Sequence, residues 1–313
     1  MIRIIFWIVI GILLLIQLLA YIIWRIALYS PKKGQGEDHR LQDNDRMRPY
    51  AERVHKRIDE WNAVPFESVT IAARDKKRLS ARYYHIADDA PLVICCHGYR
   101  GTPSRDFSIG SRIFQARGCN LLHIEQRAHL GSEGHCIGMG VAERYDILAW
   151  IDWAQARFGQ ELRIVLCGIS MGAASVLMVS GMQPPAAVKG VIADAPYTSP
   201  KDILTGVIRA MRLPVPIVYP LLTYGAWLFG GVRLNDPTAD ARKMVQKSQL
   251  PILLIHGEAD DFVPCAMSKE IANANPEKIE LHTFPNAGHG LSALTDEPRY
   301  AQIVNTYLDR VGC

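Results

Sequence analysis

From Ile4 to Trp24 the chain carries no charge and a single strongly polar side chain, Gln17. At helical rise these twenty-one residues span roughly 30 Å, the thickness of a bilayer core. Trp7 stands near one end, with Tyr21 and Trp24 near the other, where interfacial anchors sit. A buried core helix rarely stays apolar on every face. A cleaved signal sequence is the competing reading, but Leu19-Ala20-Tyr21-Ile22 makes a poor cleavage site. The pattern predicts an uncleaved transmembrane anchor within residues 1–28, in contact with lipid through residues 4–24. Residues 29–62 follow as a polar linker, from Tyr29 to about Arg48, and a short helix reaching Trp61.

From residue 63 to 313 the pattern changes to short apolar runs alternating with helical stretches. Phe66–Ile71 and Arg78–Tyr84 read as two strands joined by a turn at Arg74-Asp-Lys-Lys. Pro91–Cys96 is a continuous apolar run, as in a strand covered on both faces. Further strands fall at Cys119–Ile124, Arg163–Ile169, Val188–Asp194, Pro251–His256 and Lys278–Phe284. Helices are expected from Ser104 to Gln115, near Val141–Phe158, after Ser170, and from Pro298 to Val311. This alternation predicts an α/β fold, with a mostly parallel central sheet wrapped by helices on both faces. One interval is too long for a crossover: Ser199 to Leu250 separates two strands by some fifty residues. Its middle, Leu213–Gly230, is apolar and uncharged, and Pro214, Pro216 and Pro220 are expected to break it into short pieces.

Composition narrows the function classes. The 313 residues carry a net charge of only +4, and no Lys/Arg cluster interleaves with aromatics, which disfavours nucleic acid as a partner. The seven cysteines are scattered and form neither a disulfide framework nor a CxxC pair. Glu258, Asp260 and Asp261 stand close together but lack the other oxygen ligands a cation requires. No metal and no organic cofactor is expected.

The candidate chemistry begins at Gly168-Ile169-Ser170-Met171-Gly172, between a β-branched run and a stretch of small apolar residues. Gly-x-Ser-x-Gly in that setting is a nucleophile elbow, a turn too tight for side chains at its flanks. It exposes the Ser170 hydroxyl and leaves the Met171 N–H at a helix N-terminus, where it can stabilise an oxyanion. His289 lies between glycines in a loop, with little packing to explain it and a ring suited to moving protons at neutral pH. For the orienting acid, Asp260 follows a strand end and Asp194 ends another, while Asp261 is adjacent to the first. Asp260 is preferred, with the other two left open.

These residues resemble the α/β-hydrolase superfamily, and within it the membrane-anchored esterase/lipase-like serine hydrolases. The likeness is carried by Cys96-His-Gly-Tyr-Arg-Gly101, Glu125-Gln-Arg-Ala-His129 with Ser132-Glu-Gly134, Gly168-Ile-Ser-Met-Gly172, Ala193-Asp-Ala-Pro-Tyr-Thr198, His256–Pro264 and Asn286-Ala-Gly-His289. It covers about residues 65 to 312. Ser170…Asp260…His289 is the order in which that fold carries its triad. The resemblance implies hydrolysis through an acyl-enzyme, with the backbone N–H groups of Tyr99 and Met171 as the oxyanion hole. His97 is expected to be structural, its ring bonded inside the loop. One departure is visible: where the family usually has glycine after Arg127-Ala-His129, Leu130 comes first and Gly131 is displaced.

The same resemblance places a lid at about residues 199–250, with Tyr219, Trp227 and Phe229 as candidate pocket walls. The substrate expected is a small-molecule or lipid ester with an apolar acyl group. A thioesterase, a peptidase or a non-catalytic scaffold would share much of this machinery. Arg3 alone precedes the anchor, whereas Arg25, Lys32, Lys33 and Arg40 follow it, so the single-pass topology predicted puts the domain in the cytoplasm.

Overall fold

Among the described residues, eight strands form one sheet: β1 (Glu67–Ala72), β2 (Arg78–Tyr84), β3 (Leu92–Cys96), β4 (Asn120–Glu125), β5 (Ile164–Ile169), β6 (Val188–Asp194), β7 (Ile252–Gly257) and β8 (Ile279–Phe284). The computed structural model describes residues 1–30 and 47–313, so most of the expected linker lies outside the described residues. The spatial order is β1-β2-β4-β3-β5-β6-β7-β8. Only β2 runs against the rest, because its pairings with β1 and β4 are antiparallel while those from β4 to β8 are parallel. The anticipated fold class is therefore the one found.

Among the described residues, twelve α-helices accompany the sheet. The first four are α1 (Ile2–Ala27), α2 (Ala51–Asn62), α3 (Pro103–Asp106) and α4 (Gly110–Ala116). Then come α5 (Glu143–Phe158), α6 (Met171–Ser180), α7 (Pro200–Ala210) and α8 (Val215–Gly230). The chain closes with α9 (Ala241–Val245), α10 (Cys265–Ala274), α11 (Ser292–Thr295) and α12 (Glu297–Arg310). Successive side chains of a strand point to opposite faces, and the core divides accordingly. Leu92, Ile94 and Cys96 of β3 face α5, α6, α9 and α10. Val93 and Cys95 face α2, α4 and α12 on the other side.

Two helical expectations are corrected. The stretch after Ser104 is not one helix: α3 is capped by Thr102, whose Oγ1 accepts from Arg105 N, and it stops at Asp106. Phe107 then turns inward to full burial before α4 begins at Gly110. Nor do the prolines break Leu213–Gly230. Pro214 precedes α8 and Pro216 lies in its first turn, where a missing N–H costs nothing, so only Pro220 interrupts the ladder.

Helix α8 also has a partner. It packs on α1, the one described helix long and apolar enough to cross a membrane. Gly225 meets the Ala20 carbonyl so closely that a Cβ would lie 2.4 Å from it. The Phe229 ring stands 5.2 Å from Tyr21 and 5.7 Å from Trp24. Most of α1 is exposed, but Ala20, Trp24 and the following Leu28 are buried against the domain.

Candidate active site

Strand β5 runs into α6 through Ser170, whose φ of 55° and ψ of −112° lie outside the ordinary regions for an L-residue. The two flanking glycines make that turn possible. A Cβ on Gly168 would lie 2.4 Å from the Gly172 backbone, and one on Gly172 only 1.9 Å from the Cys96 carbonyl oxygen. The Ser170 N–H donates to the Asp194 carbonyl at 2.8 Å, tying the elbow to the next strand.

His289 and Asp260 reach the serine from neighbouring loops at the same sheet edge. Ser170 Oγ lies 2.9 Å from His289 Nε2, and His289 Nδ1 lies 2.7 Å from Asp260 Oδ2. Asp260 is held on its other oxygen by the N–H groups of Phe262, at 3.0 Å, and Val263, at 2.8 Å. Burial alone would raise its pKa, but the hydrogen bonds from His256 and His289 hold it well below the usual carboxylate range. The carboxylate is thus charged throughout the neutral range.

His256 is a participant the sequence reading passed over. Its Nε2 lies between two acceptors, Val263 O at 2.9 Å and Asp260 Oδ2 at 3.2 Å, so that nitrogen carries the hydrogen. Its Nδ1 meets Ser268 Oγ at 2.7 Å. The ring is fully buried and braces the acid from behind. Its place at the end of an apolar strand, four residues before an aspartate, was the available signal.

The rival carboxylates are elsewhere. Asp261 is exposed on its loop. Asp194 is buried beneath Ser170 with Oδ1 lacking a hydrogen-bond partner, and desolvation pushes its pKa up to about 6. The loop after β3 brings Tyr99 close by. The N–H groups on either side are committed: Gly98 N donates to Asp106 Oδ2 at 2.7 Å, and Arg100 N to His129 Nε2 at 3.1 Å. Asp106 also escaped the sequence reading, because nothing local marks the end of a one-turn helix as a loop brace. Met171, as the first residue of α6, has no intrahelical acceptor for its N–H. The His97 ring is structural, bonded to Gly98 O at 2.9 Å and to Gln126 N at 3.0 Å. Burial lowers the pKa of His97, and of His129 to about 3, so both rings are neutral.

A cavity of about 280 Å³ opens at Ser170 and His289. Its apolar wall comes from Phe107, Ile109, Phe114, Leu294 and Val54, and its floor includes Asp194. Val54 belongs to α2, so the helix before the domain helps to roof the site. Tyr219, Trp227 and Phe229 are not brought to it. Tyr219 lines a neighbouring cleft between α7, α8 and the Asp261–Pro264 loop, which shares Phe262 with the first cavity, and bonds Asn235 at 2.6 Å; Trp227 is half exposed, and Phe229 rests on α1. Among the described residues, no three His, Cys, Asp or Glu side chains are grouped to hold a metal.

A mostly parallel sheet wrapped by helices, with a strained serine between strand and helix and a histidine–carboxylate pair behind it, defines the α/β-hydrolase class. The sequence model of the alpha/beta hydrolase family matches residues 93–303, and the chain belongs to that family. Among relatives, it is 26% identical over 232 residues to the uncharacterised protein YqkD of Bacillus subtilis, covering 73% of this chain and 75% of that one. It is 22% identical over 269 residues to the lysophosphatidylserine lipase ABHD12 of Xenopus tropicalis, covering 80% of this chain and 65% of the lipase. Among solved structures it is similar to the esterase Pf2001 of Pyrococcus furiosus, with a TM-score of 0.65 and 22% identity over 80% of this chain and 93% of the esterase. Est1E of Butyrivibrio proteoclasticus, solved with ferulic acid, gives a TM-score of 0.58 at 19% identity, over 78% of this chain and all of Est1E.

Proposed function

We propose that this chain is a membrane-anchored serine hydrolase that cleaves a carboxylic ester with an apolar acyl group. The observation that carries the reading is the unbroken series Ser170 Oγ–His289 Nε2 at 2.9 Å and His289 Nδ1–Asp260 Oδ2 at 2.7 Å. As Oγ attacks the ester carbonyl, its proton passes to His289 Nε2, and Asp260 fixes the tautomer that leaves Nε2 able to accept. The negative charge developing on the carbonyl oxygen falls to the Tyr99 and Met171 N–H groups. Removal of one such donor typically costs about two to three orders of magnitude in rate. His289 then protonates the departing alkoxide, leaving an acyl-Ser170 ester. Water, deprotonated by the same ring, releases the acid.

The esterase and lipase among the similar proteins support this reading, as do the apolar cavity wall and the apolar helix α1 beside the domain. We place the domain on the cytoplasmic side, on the excess of Arg and Lys after α1. Protease digestion of the domain from outside intact cells would reverse that placement. The decisive measurement is fluorophosphonate labelling with p-nitrophenyl ester turnover: both should be present in the wild type and absent in Ser170→Ala. A wild-type protein that neither labels nor turns over any ester, thioester or lipid substrate would point to a binding scaffold instead.

A further inference from the structure

The last turn of a helix leaves carbonyl oxygens without intrahelical donors. At the end of α1 the globular domain supplies them. Ile137 N donates to Leu28 O at 2.8 Å, and Tyr99 Oη donates to Ala27 O. Arg100 Nη2 donates to Ile26 O at 2.8 Å and reaches Tyr29 O at 3.4 Å. Three of these four grips come from two successive residues, Tyr99 and Arg100, and the backbone N–H of the first is the oxyanion donor proposed above.

The local backbone shows why such grips matter. Arg100 has a φ of 51°, a left-handed conformation that a non-glycine residue keeps only when its surroundings over-determine it. From below, the loop is fixed by Asp106 on Gly98 N and by His129 on Arg100 N. From above, the fixed points are the two side chains bound to α1, with the Arg100 guanidinium 5.1 Å from the centre of the Tyr99 ring. The end of α1 that carries these carbonyls is itself docked on the domain. Leu28 is fully buried, Trp24 Nε1 meets Cys136 Sγ at 3.3 Å, and Tyr29 bridges to Cys136.

We propose that the C-terminal end of α1 is a working part of the catalytic site. By holding the side chains of Tyr99 and Arg100, it sets the direction of the Tyr99 N–H at the oxyanion. Tyr99 and Arg100 are in this respect positioning residues, and the membrane helix is more than a tether. The inference rests on the serine-hydrolase reading and on the Tyr99 N–H as oxyanion donor.

The test uses the full-length chain in nanodiscs with p-nitrophenyl butyrate, rates being expressed per fluorophosphonate-labelled site. Tyr99→Phe keeps the ring and removes the donor. Arg100→Gln removes the second grip at an exposed position, so the test stands even if the first variant folds poorly. Each is expected to lower kcat about tenfold, with KM and Tm unchanged, and the double variant about a hundredfold. Arg100→Lys, which can still reach a carbonyl, should recover part of the loss. Wild-type kcat in both single variants would overturn the proposal, as would a rise in KM alone or a loss matched by a fall in Tm. If the wild type neither labels nor turns over, the serine-hydrolase reading fails first and takes this inference with it. An active wild type with indifferent variants overturns this inference alone.

Discussion

Asp260 Oδ2 meets His289 Nδ1 at 2.7 Å while the same oxygen lies 3.2 Å from His256 Nε2, so the acid is clamped between two imidazoles. Removal of its charge should therefore disturb orientation more than packing. Asp260→Asn should lower kcat by several orders of magnitude, yet less than Ser170→Ala or His289→Ala, which should abolish turnover without unfolding the protein. Steady-state kinetics beside thermal melts check this. A nearly wild-type Asp260→Asn with a dead Asp194→Asn would move the acid to β6.

Asp194 should govern stability rather than chemistry. Its pKa in the folded state is pushed by burial to about 6, above the unfolded value of about 4, so folding favours the neutral carboxyl. That contribution is complete below about pH 4 and is lost as pH rises through about 6. Asp194→Asn should then match the wild type near pH 4 and exceed it at pH 8, by on the order of 2–3 kcal/mol. Denaturant melts across that range decide, and a constant difference at all pH values would refute the assignment.

Gly172→Ala should be far more damaging than its size suggests. The added methyl would stand 1.9 Å from the Cys96 carbonyl oxygen, which is strand backbone and cannot move alone. A loss of more than about 3 kcal/mol is expected, seen as a collapse in Tm and in folded yield.

Acyl preference should be set by the wall contributed by Ile109 and Leu294. Each methylene accommodated gains about 0.8 kcal/mol, roughly fourfold in kcat/KM, until the cavity is full. Ile109→Trp or Leu294→Trp should shift the optimum to shorter p-nitrophenyl esters, whereas Trp227→Ala and Phe229→Ala should leave it in place. A preference for acetate in the wild type would remove the argument for an apolar acyl substrate.

Strands such as β3 and β7 were legible because burial on both faces demands continuous apolar residues, whereas β1 and β2, partly exposed, were legible from the turn between them. The meeting of Ser170, Asp260 and His289 was legible for a different reason: each lies just past a strand end, where glycine or polar neighbours leave few packing explanations. What escaped depends on contacts remote in sequence. Nothing near Val54 reveals that it will roof a cavity at Ser170, and nothing near Gly225 reveals that Ala20 will face it. The prolines of α8 misled because their effect depends on where the helix begins: Pro214 precedes it and Pro216 lies in its first turn. His256 and Asp106 were missed because each is an ordinary polar residue until its partner arrives from another loop.

The strain at Ser170 sets a conflict between durability and work. A residue at φ 55° and ψ −112° costs the fold on the order of 1–3 kcal/mol, and glycine there would recover much of it. Ser170→Gly is therefore a ready route to a hardier molecule, reached by one substitution and blocked by no contact in the core. Selection for heat tolerance alone would discard the proposed nucleophile.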